Sequence, residues 1–272
     1  MGIINNITTM WNNLELPPAY YQDEWVYIIH GDCREILPKI PDKSIDLVLT
    51  DPPYNVSKLN DRRDRSKLNS PIMRRDSPLV YDFGEWDNRT QQEFFDFTKE
   101  WLKLICNTLR VNGTIASFFS KEDISLLNWE AQKYDVRTRT IFVWHKTNPV
   151  PTFRKVNYLS ACEFIWLGSK GTWIINYKKQ AEMHNFYETP NSSSYGETGH
   201  PTEKPIALIH HLIEIHSNPS NLILDPFLGS GTTAYCAKKL NRYCIGIEIE
   251  EKYCEIAAKR CSQGVFDLRE IK

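Results

Sequence analysis

The residues from Leu222 to Gly231 read LILDPFLGSG, an apolar run that leads into a glycine-rich turn. Glycines at positions 229 and 231 allow a tight turn and let the backbone approach a ligand without a Cβ in the way. The helix predicted to begin near Thr232 would offer its free N–H groups to an anionic group. One strand later, Glu248 stands at a strand end, where a carboxylate can accept hydrogen bonds from two ribose hydroxyls. The stretch therefore predicts a strand–turn–helix unit that binds an adenosine-type cofactor.

The rest of the chain continues the same alternation of strands and helices. Apolar runs bounded by turn residues predict strands at Val26–His30, Ile45–Thr50, Gly113–Phe119, Thr138–Trp144, Glu163–Gly168, Asn221–Asp225 and Tyr243–Ile249. Helices are predicted at Cys33–Ile40, Arg89–Leu109, Ile206–Ile215, Thr232–Leu240 and Lys252–Cys261. Near-continuous apolar strands between helices indicate a mostly parallel sheet covered on both faces. The predicted fold is doubly wound α/β.

The bulk composition restricts the class of protein. The 272 residues carry a net charge of −1, so contact with nucleic acid would need a local basic surface. The seven cysteines are odd in number and form no C-x-x-C pair, which favours free, mostly buried thiols and no metal site. The N-terminus is not a secretory signal and no window is long enough to span a membrane, so we expect a cytoplasmic protein.

The glycine turn also fits a second class of enzyme. Residues 229–234 read GSGTTA, which matches the G-x-G-x-x-A form of a dinucleotide fingerprint, and Glu248 stands near the usual distance. An NAD-dependent dehydrogenase is therefore an alternative. However, only 41 residues of the 272 follow Gly231, whereas a dinucleotide fold continues through several further strands. The position of the turn favours an adenosine-type cofactor other than NAD.

A second motif, DPPY at Asp51–Tyr54, follows the predicted strand at 45–50 directly. The carboxyl end of a strand is where open α/β sheets place their ligands. Two consecutive prolines stiffen the turn and so fix the Asp51 carboxylate, the Pro52 carbonyl and the Tyr54 ring in space. Two acceptors that bind both N–H bonds of an exocyclic aromatic amine would favour a pyramidal nitrogen and stabilise the positive charge that develops on it. The expected catalytic residues are Asp51, Pro52, Pro53 and Tyr54, with the tyrosine stacked on a flipped base.

Six segments of the chain resemble the amino-group DNA methyltransferases of the permuted β class, in which D-P-P-Y precedes F-x-G-x-G. They are GDC at 31–33, DPPY at 51–54, WHKTNPVP at 144–151, HPTEKP at 200–205, DPFLGSGTT at 225–233 and GIE at 246–248. The resemblance implies one methyltransferase domain over residues 1–272, with a seven-stranded, circularly permuted Rossmann-like sheet. It also implies that the strand carrying GDC lies beside the strand carrying GIE.

The resemblance implies that S-adenosyl-L-methionine is the cofactor. Asp32 and Cys33 are expected beside its adenine, and Thr202 and Lys204 near its methionine end. The residues expected around the glycine turn are Asp225, Phe227, Gly229, Ser230, Gly231 and Thr232, with Glu248 on the ribose.

The first residue of D-P-P-Y bears on the target base. Among similar enzymes aspartate is commoner in the adenine-N6 class, and serine is typical of the cytosine-N4 class. Adenine N6 in a short specific DNA sequence is therefore the expected target, with cytosine N4 as the alternative. A cytosine-C5 enzyme is disfavoured because no cysteine follows a proline. RNA as substrate and a non-catalytic DNA-binding protein on the same scaffold stay open.

Two irregular segments are candidates for contact with DNA. The basic loop at 56–80 would meet phosphates through Arg62, Arg63, Arg65, Lys67, Arg74 and Arg75, although a solvated charged loop is the simpler interpretation of its charges alone. The polar segment at about 170–199 is small for a separate recognition domain, so we expect it to share target recognition with the basic loop. The expected partner is double-stranded DNA, and a cognate restriction endonuclease and a homodimer are both compatible with the resemblance. His210, His211, Trp86 and Trp144 are expected to have packing or surface roles.

Overall fold

The structure is a computed structural model that describes residues 9–12, 14–53, 89–149, 158–191 and 203–262. Its strands are β1 Tyr21–Gln22, β2 Val26–His30, β3 Ile45–Thr50, β4 Leu109–Phe119, β5 Val136–Lys146, β6 Cys162–Lys170, β7 Phe186–Thr189, β8 Leu222–Asp225 and β9 Tyr243–Glu248. Its α-helices are α1 Thr9–Asn12, α2 Cys33–Ile36, α3 Gln91–Thr108, α4 Ile124–Ala131, α5 Ile206–His216, α6 Thr232–Lys239 and α7 Glu251–Ser262.

All described strands belong to a single sheet with the order β1-β2-β9-β8-β3-β4-β6-β5-β7. The run from β2 to β4 is parallel, whereas β6 is antiparallel to both β4 and β5. The seven predicted strands are all present, and two short strands, β1 and β7, extend the sheet to nine. The predicted neighbours GDC and GIE are confirmed, because β2 pairs with β9 in the register His30 to Glu248.

The chain changes direction within the sheet between β8 and β3. From β8 it passes through α6 to β9, toward the β1 edge, whereas after β3 it passes through α3 to β4, toward the β7 edge. The core is divided accordingly. Helices α2, α3 and α4 pack on one face of the sheet, and α5, α6 and α7 pack on the other. The carboxyl ends of β8 and β3 therefore border a topological switch point, which is the usual ligand site of such a sheet.

Local sequence explains how the helices begin and end. Helix α3 begins at a capping box in which Thr90 Oγ1 accepts from Glu93 N while the Glu93 carboxylate accepts from Thr90 N. The stretch predicted as one helix, Cys33–Ile40, is instead α2 followed by a 3-10 turn at Leu37–Lys39, because Pro38 cannot donate an α-helical hydrogen bond. No helix in the described ranges is long and apolar enough to cross a membrane.

The described part of the polar segment at 170–199, which ends at Asn191, is attached to the sheet and to α5. Strand β7 adds to β5 at the edge of the sheet, and the Asn176 amide donates to the Glu214 and Ser217 carbonyls at the end of α5. The remainder of that segment and the basic loop at 56–80 lie outside the described residues. Six cysteines are buried, Cys162 is exposed and all seven are free, as the sequence predicted.

Candidate active site

The two motifs predicted separately lie on adjacent strands at the switch point. Asp51 follows β3 directly, and Asp225 ends β8. Thr50 Oγ1 donates to Asp225 Oδ1 over 2.9 Å, and Phe227 N donates to the same oxygen over 3.1 Å. Burial is the main cause that raises the pKa of Asp225 to about 7, and the negative charge of nearby Asp51 contributes to the same shift. The D-P-P and D-P-F turns therefore belong to one site.

The turn after β8 requires glycine for two reasons. Gly229 and Gly231 have φ values of 54° and 81°, in the left-handed region. A Cβ on Gly231 would lie 2.7 Å from the Ala257 Cβ, so α7 packs directly on the turn. The turn is also tied to the next strand, because Leu228 N donates to Ile247 O over 2.9 Å. This packing fixes the N-terminal end of α6, which has no side-chain cap of its own.

Glu248 lies at the end of β9, beside the glycine turn. Its Oε2 accepts from Gly229 N over 2.7 Å and its Oε1 accepts from Glu250 N over 2.8 Å. Burial raises the pKa of Glu248, although the backbone donors oppose that shift. A carboxylate offers about four acceptor positions, so Glu248 can accept further hydrogen bonds, such as those of ribose hydroxyls.

An aromatic cluster lines the same side of the site. The Phe227 ring meets Phe97 edge-on at 6.0 Å and Trp101 at 5.7 Å between centroids. The Arg89 guanidinium lies 4.0 Å from the centroid of the Phe97 ring. Flat apolar rings beside a carboxylate that can accept from hydroxyls are what an adenosine group requires. The residues present therefore fit S-adenosyl-L-methionine.

Asp32 and Cys33 lie at the end of β2, next to β9. Gly31 N donates to Glu248 O over 2.9 Å, which brings this segment to the rim of the cofactor site. Asp32 caps α2 by accepting from Arg34 N and pairs with the Arg34 guanidinium at 2.6 Å. The hydrogen bonds from Arg34 lower the pKa of Asp32, whereas burial raises the pKa of the Cys33 thiol to about 12. Cys33 is thus a packing residue at neutral pH and not a thiolate.

The first residue of D-P-P-Y, Asp51, is one end of a row of four alternating charges. Lys204 Nζ lies 2.5 Å from Asp51 Oδ2 and 3.4 Å from Glu163 Oε2, while Lys146 Nζ lies 2.6 Å from Glu163 Oε1. The Lys204 ammonium also lies 4.9 Å from the Phe118 ring centroid. Burial would lower the pKa of Lys204, but the Asp51 and Glu163 carboxylates outweigh it and raise the pKa above its ordinary value. Lys204 therefore stays protonated at neutral pH, between the Asp51 and Glu163 carboxylates.

A buried ion pair joins the glycine turn to the segment that carries Lys204. Arg260 of α7 lies 2.7 Å from Glu203 Oε1, and the two side chains are only 8% and 6% exposed. Arg260 Nη1 also donates to Thr232 Oγ1 over 3.0 Å and lies 3.5 Å from Ser230 O. The neighbouring residues Glu203 and Lys204 thus connect the cofactor turn with Asp51.

The structure brings most of the predicted site residues together. Pro52 is buried and Pro53 half-buried beside Asp51, while Ser230 and Thr232 contact Arg260. Tyr54, Thr202 and the six basic residues Arg62, Arg63, Arg65, Lys67, Arg74 and Arg75 lie outside the described residues. Trp144 is 1% exposed in the core, and His211 packs between Phe142 and Tyr187, which agrees with the packing roles expected for them.

Sequence reasoning missed four charged residues of this site. Lys146 and Glu203 lie within two of the segments that resemble the methyltransferases, and this position could have indicated that they belong to the site. Glu163 stands near the start of an apolar strand, where a half-buried charge is uncommon. Arg260 lies on the apolar face of α7 that also carries Cys254 and Ala257.

The open α/β sheet carries the Glu248 carboxylate and the stiff acidic turn at Asp51 close to its switch point. This arrangement is typical of an enzyme that uses a nucleotide cofactor. The comparisons with known proteins agree. The DNA methylase family of N6 and N4 amino-methyltransferases matches residues 45–259, and the chain belongs to that family. The NAD-dependent dehydrogenase interpretation is therefore wrong.

Two curated relatives are Type II methyltransferases. The chain is 32% identical to M.HinfI of Haemophilus influenzae over 270 residues, which cover 90% of this chain and 68% of that protein. It is 30% identical to M2.LlaDCHI of Lactococcus lactis subsp. cremoris over 260 residues, which cover 90% and 92% of the two chains. These relatives confirm that the chain is a DNA methyltransferase with DNA as its substrate.

Solved structures share the fold. The crystal structure of an M1.HpyAVI–SAM complex superposes with a TM-score of 0.66 at 27% identity and covers 87% of this chain and 99% of that chain. The cytosine-N4-specific PvuII DNA methyltransferase superposes with a TM-score of 0.66 at 22% identity, and the alignment covers 87% and 86% of the two chains. The predicted Rossmann-like methyltransferase fold is confirmed.

Proposed function

We propose that this protein transfers a methyl group from S-adenosyl-L-methionine to the N6 amino group of a flipped adenine within a short specific sequence of double-stranded DNA. The observation that carries the proposal is the placement of Asp51 beside the glycine turn, through the Thr50–Asp225 hydrogen bond. The aspartate in D-P-P-Y supports adenine over cytosine, because that residue is commoner in the adenine-N6 enzymes it resembles.

The chemistry assigned to Asp51 follows from its position and its rigidity. When bound, S-adenosyl-L-methionine supplies an electrophilic sulfonium methyl group. Asp51 and the Pro52 carbonyl would accept both N–H bonds of the target amine, which would free the nitrogen lone pair. The same oxygens would stabilise the positive charge on nitrogen until one N–H proton passes to water. Because β3 and Pro53 fix both acceptors, orientation supplies part of the acceleration.

The cofactor contacts in this proposal come from four elements. Glu248 would accept from the ribose hydroxyls, and Phe227 with its aromatic neighbours would flank the adenine. Asp32 would approach the adenine from the end of β2. Tyr54 is proposed to stack on the flipped base, by analogy with other enzymes that act on extruded bases.

Contact with DNA is assigned to the basic loop at 56–80, together with the polar segment at about 170–199. The positions of Pro53 and Asn191 support this assignment. Pro53 follows β3 and Asn191 follows β7, so both segments adjoin described residues at the carboxyl ends of the strands. Neutralising Arg62, Arg63 and Arg65 together should weaken DNA binding and flatten its salt dependence, since phosphate contacts release counterions. If the salt dependence of DNA binding did not change in this variant, the loop would not contact the DNA phosphates. A cognate restriction endonuclease is the expected partner in the cell.

The proposed role of Asp51 is tested with Asp51→Ala. Methyl transfer to duplex DNA should be abolished, while calorimetric titration should show binding of S-adenosyl-L-methionine close to that of the unchanged enzyme. Pro52 and the glycine turn keep their places in this variant, so a loss of cofactor binding would indicate a structural effect. Normal turnover in Asp51→Ala would refute the proposed chemistry.

A further inference from the structure

Glu163, near the start of β6, carries a buried carboxylate oxygen that the chemistry above leaves unexplained. Its Oε1 is bound by Lys146 at 2.6 Å. Its Oε2 is buried and makes no hydrogen bond among the described residues, yet it faces Lys204 Nζ at 3.4 Å. A buried acceptor without a hydrogen bond is unfavourable and is retained mainly where it serves a function.

The Lys204 ammonium thus stands between two carboxylates. It binds Asp51 Oδ2 at 2.5 Å, and Glu163 Oε2 is a second acceptor within a small movement of Nζ. The Lys204 side chain is 12% exposed and rests above the Phe118 ring, so water contributes little to its solvation. The two carboxylates therefore compete for the same ammonium.

That competition bears directly on the proposed function, on which this inference rests. Asp51 must accept a hydrogen bond from the target amine, and the ammonium of Lys204 occupies one of its oxygens in the structure. We propose that Glu163 is a positioning residue that takes up the Lys204 ammonium on Oε2 when the target amine engages Asp51. Lys146 holds the other oxygen of Glu163 and so keeps Oε2 directed at Lys204.

Glu163→Gln tests this role, because the amide keeps the shape of the side chain but removes its charge. Without that charge Lys204 stays on Asp51, and kcat at saturating cofactor and DNA should fall by about tenfold or more, the effect of losing one charged hydrogen bond. The dissociation constant for S-adenosyl-L-methionine should change by less than about twofold, because Glu163 lies on the far side of Asp51 from the glycine turn in the strand order.

The double variant Glu163→Gln/Lys204→Met gives a prediction of opposite sign. Removing the ammonium takes this ion pair away from Asp51 Oδ2, so the double variant should have a higher kcat than Glu163→Gln alone at saturating cofactor. A merely structural role for Glu163 predicts the reverse, because a second buried substitution would lower kcat further. Glu214→Gln is the matched control, since it removes the same charge from the ion pair that α5 forms with Lys178 at 2.5 Å, which includes none of the site residues, and its turnover should not change.

The outcomes separate this inference from the proposed function. Wild-type turnover in Glu163→Gln, or a double variant slower than Glu163→Gln, overturns the role of Glu163 while the proposed function stands. Normal turnover in Asp51→Ala overturns the proposed function itself. A tenfold loss in Glu163→Gln, with unchanged cofactor affinity and recovery in the double variant, supports the role.

Discussion

Arg260→Met probes the ion pair that joins the glycine turn to the segment of Lys204. The variant leaves the Glu203 carboxylate, which is 6% exposed, without the guanidinium that lies 2.7 Å away. Breaking one partner of a buried pair costs about 3–5 kcal/mol, because the remaining charge is not resolvated. The hydrogen bond to Thr232 Oγ1 is lost as well, so affinity for S-adenosyl-L-methionine should also fall.

Urea unfolding with a double-variant cycle measures this effect. Arg260→Met/Glu203→Gln should recover a large part of the lost stability, because neutral groups replace both charges of the pair. Lys178→Met is the control: the Lys178 and Glu214 side chains are 32% and 39% exposed, so its loss should cost no more than about 1 kcal/mol. If Arg260→Met destabilised the protein no more than Lys178→Met, or if the two changes in the pair were additive, the reasoning would be refuted.

Three further predictions concern the turn and two buried titratable groups. Gly231→Ala should lower the free energy of unfolding by about 2–5 kcal/mol, because a left-handed φ of 81° and a contact of 2.7 Å with Ala257 are both unfavourable for a residue with a Cβ. Calorimetry should also show no cofactor binding; a free energy of unfolding equal to that of the wild type would contradict this prediction. Asp225→Asn should raise the melting temperature at pH 8 but not at pH 4. The pKa of Asp225 is about 7 in the folded state, so the ionisation of this carboxyl above pH 4 favours the unfolded chain. An equal change in melting temperature at both pH values would contradict this explanation. His216→Phe should reduce the loss of stability between pH 6.5 and 4, since burial lowers the pKa of His216 to about 4 and its protonation favours the unfolded chain; an unchanged pH profile of the urea midpoint would count against it.

Most of the fold could be predicted because its signals are local. The strands at 26–30, 45–50 and 243–248 are apolar runs that end at turn residues, and the glycine turn has a spacing that few other structures require. Strands β1 and β7 could not be predicted, because they contain two and four residues and are stabilised by pairing with β2 and β5 rather than by their own sequence.

The candidate site likewise contains some residues that the sequence predicts and others that it does not. Asp51 and Gly231 could be predicted from the sequence because they belong to short motifs that constrain the backbone around them. Glu163 and Arg260 could not, because their partners Lys204 and Glu203 are distant in the sequence and come close only when the sheet is assembled. Charged residues on apolar strands and helix faces are the general signal of such buried networks, but the signal does not identify the partner.

The most direct test of the account is methylation of mixed-sequence duplex DNA with labelled S-adenosyl-L-methionine, followed by digestion to nucleosides and mass spectrometry. The account predicts label in N6-methyladenine, and no label when Asp51→Ala replaces the unchanged enzyme. Label in N4-methylcytosine would keep the chemistry of Asp51 but contradict the assigned base. No label in either nucleoside, with cofactor bound, would contradict the central claim.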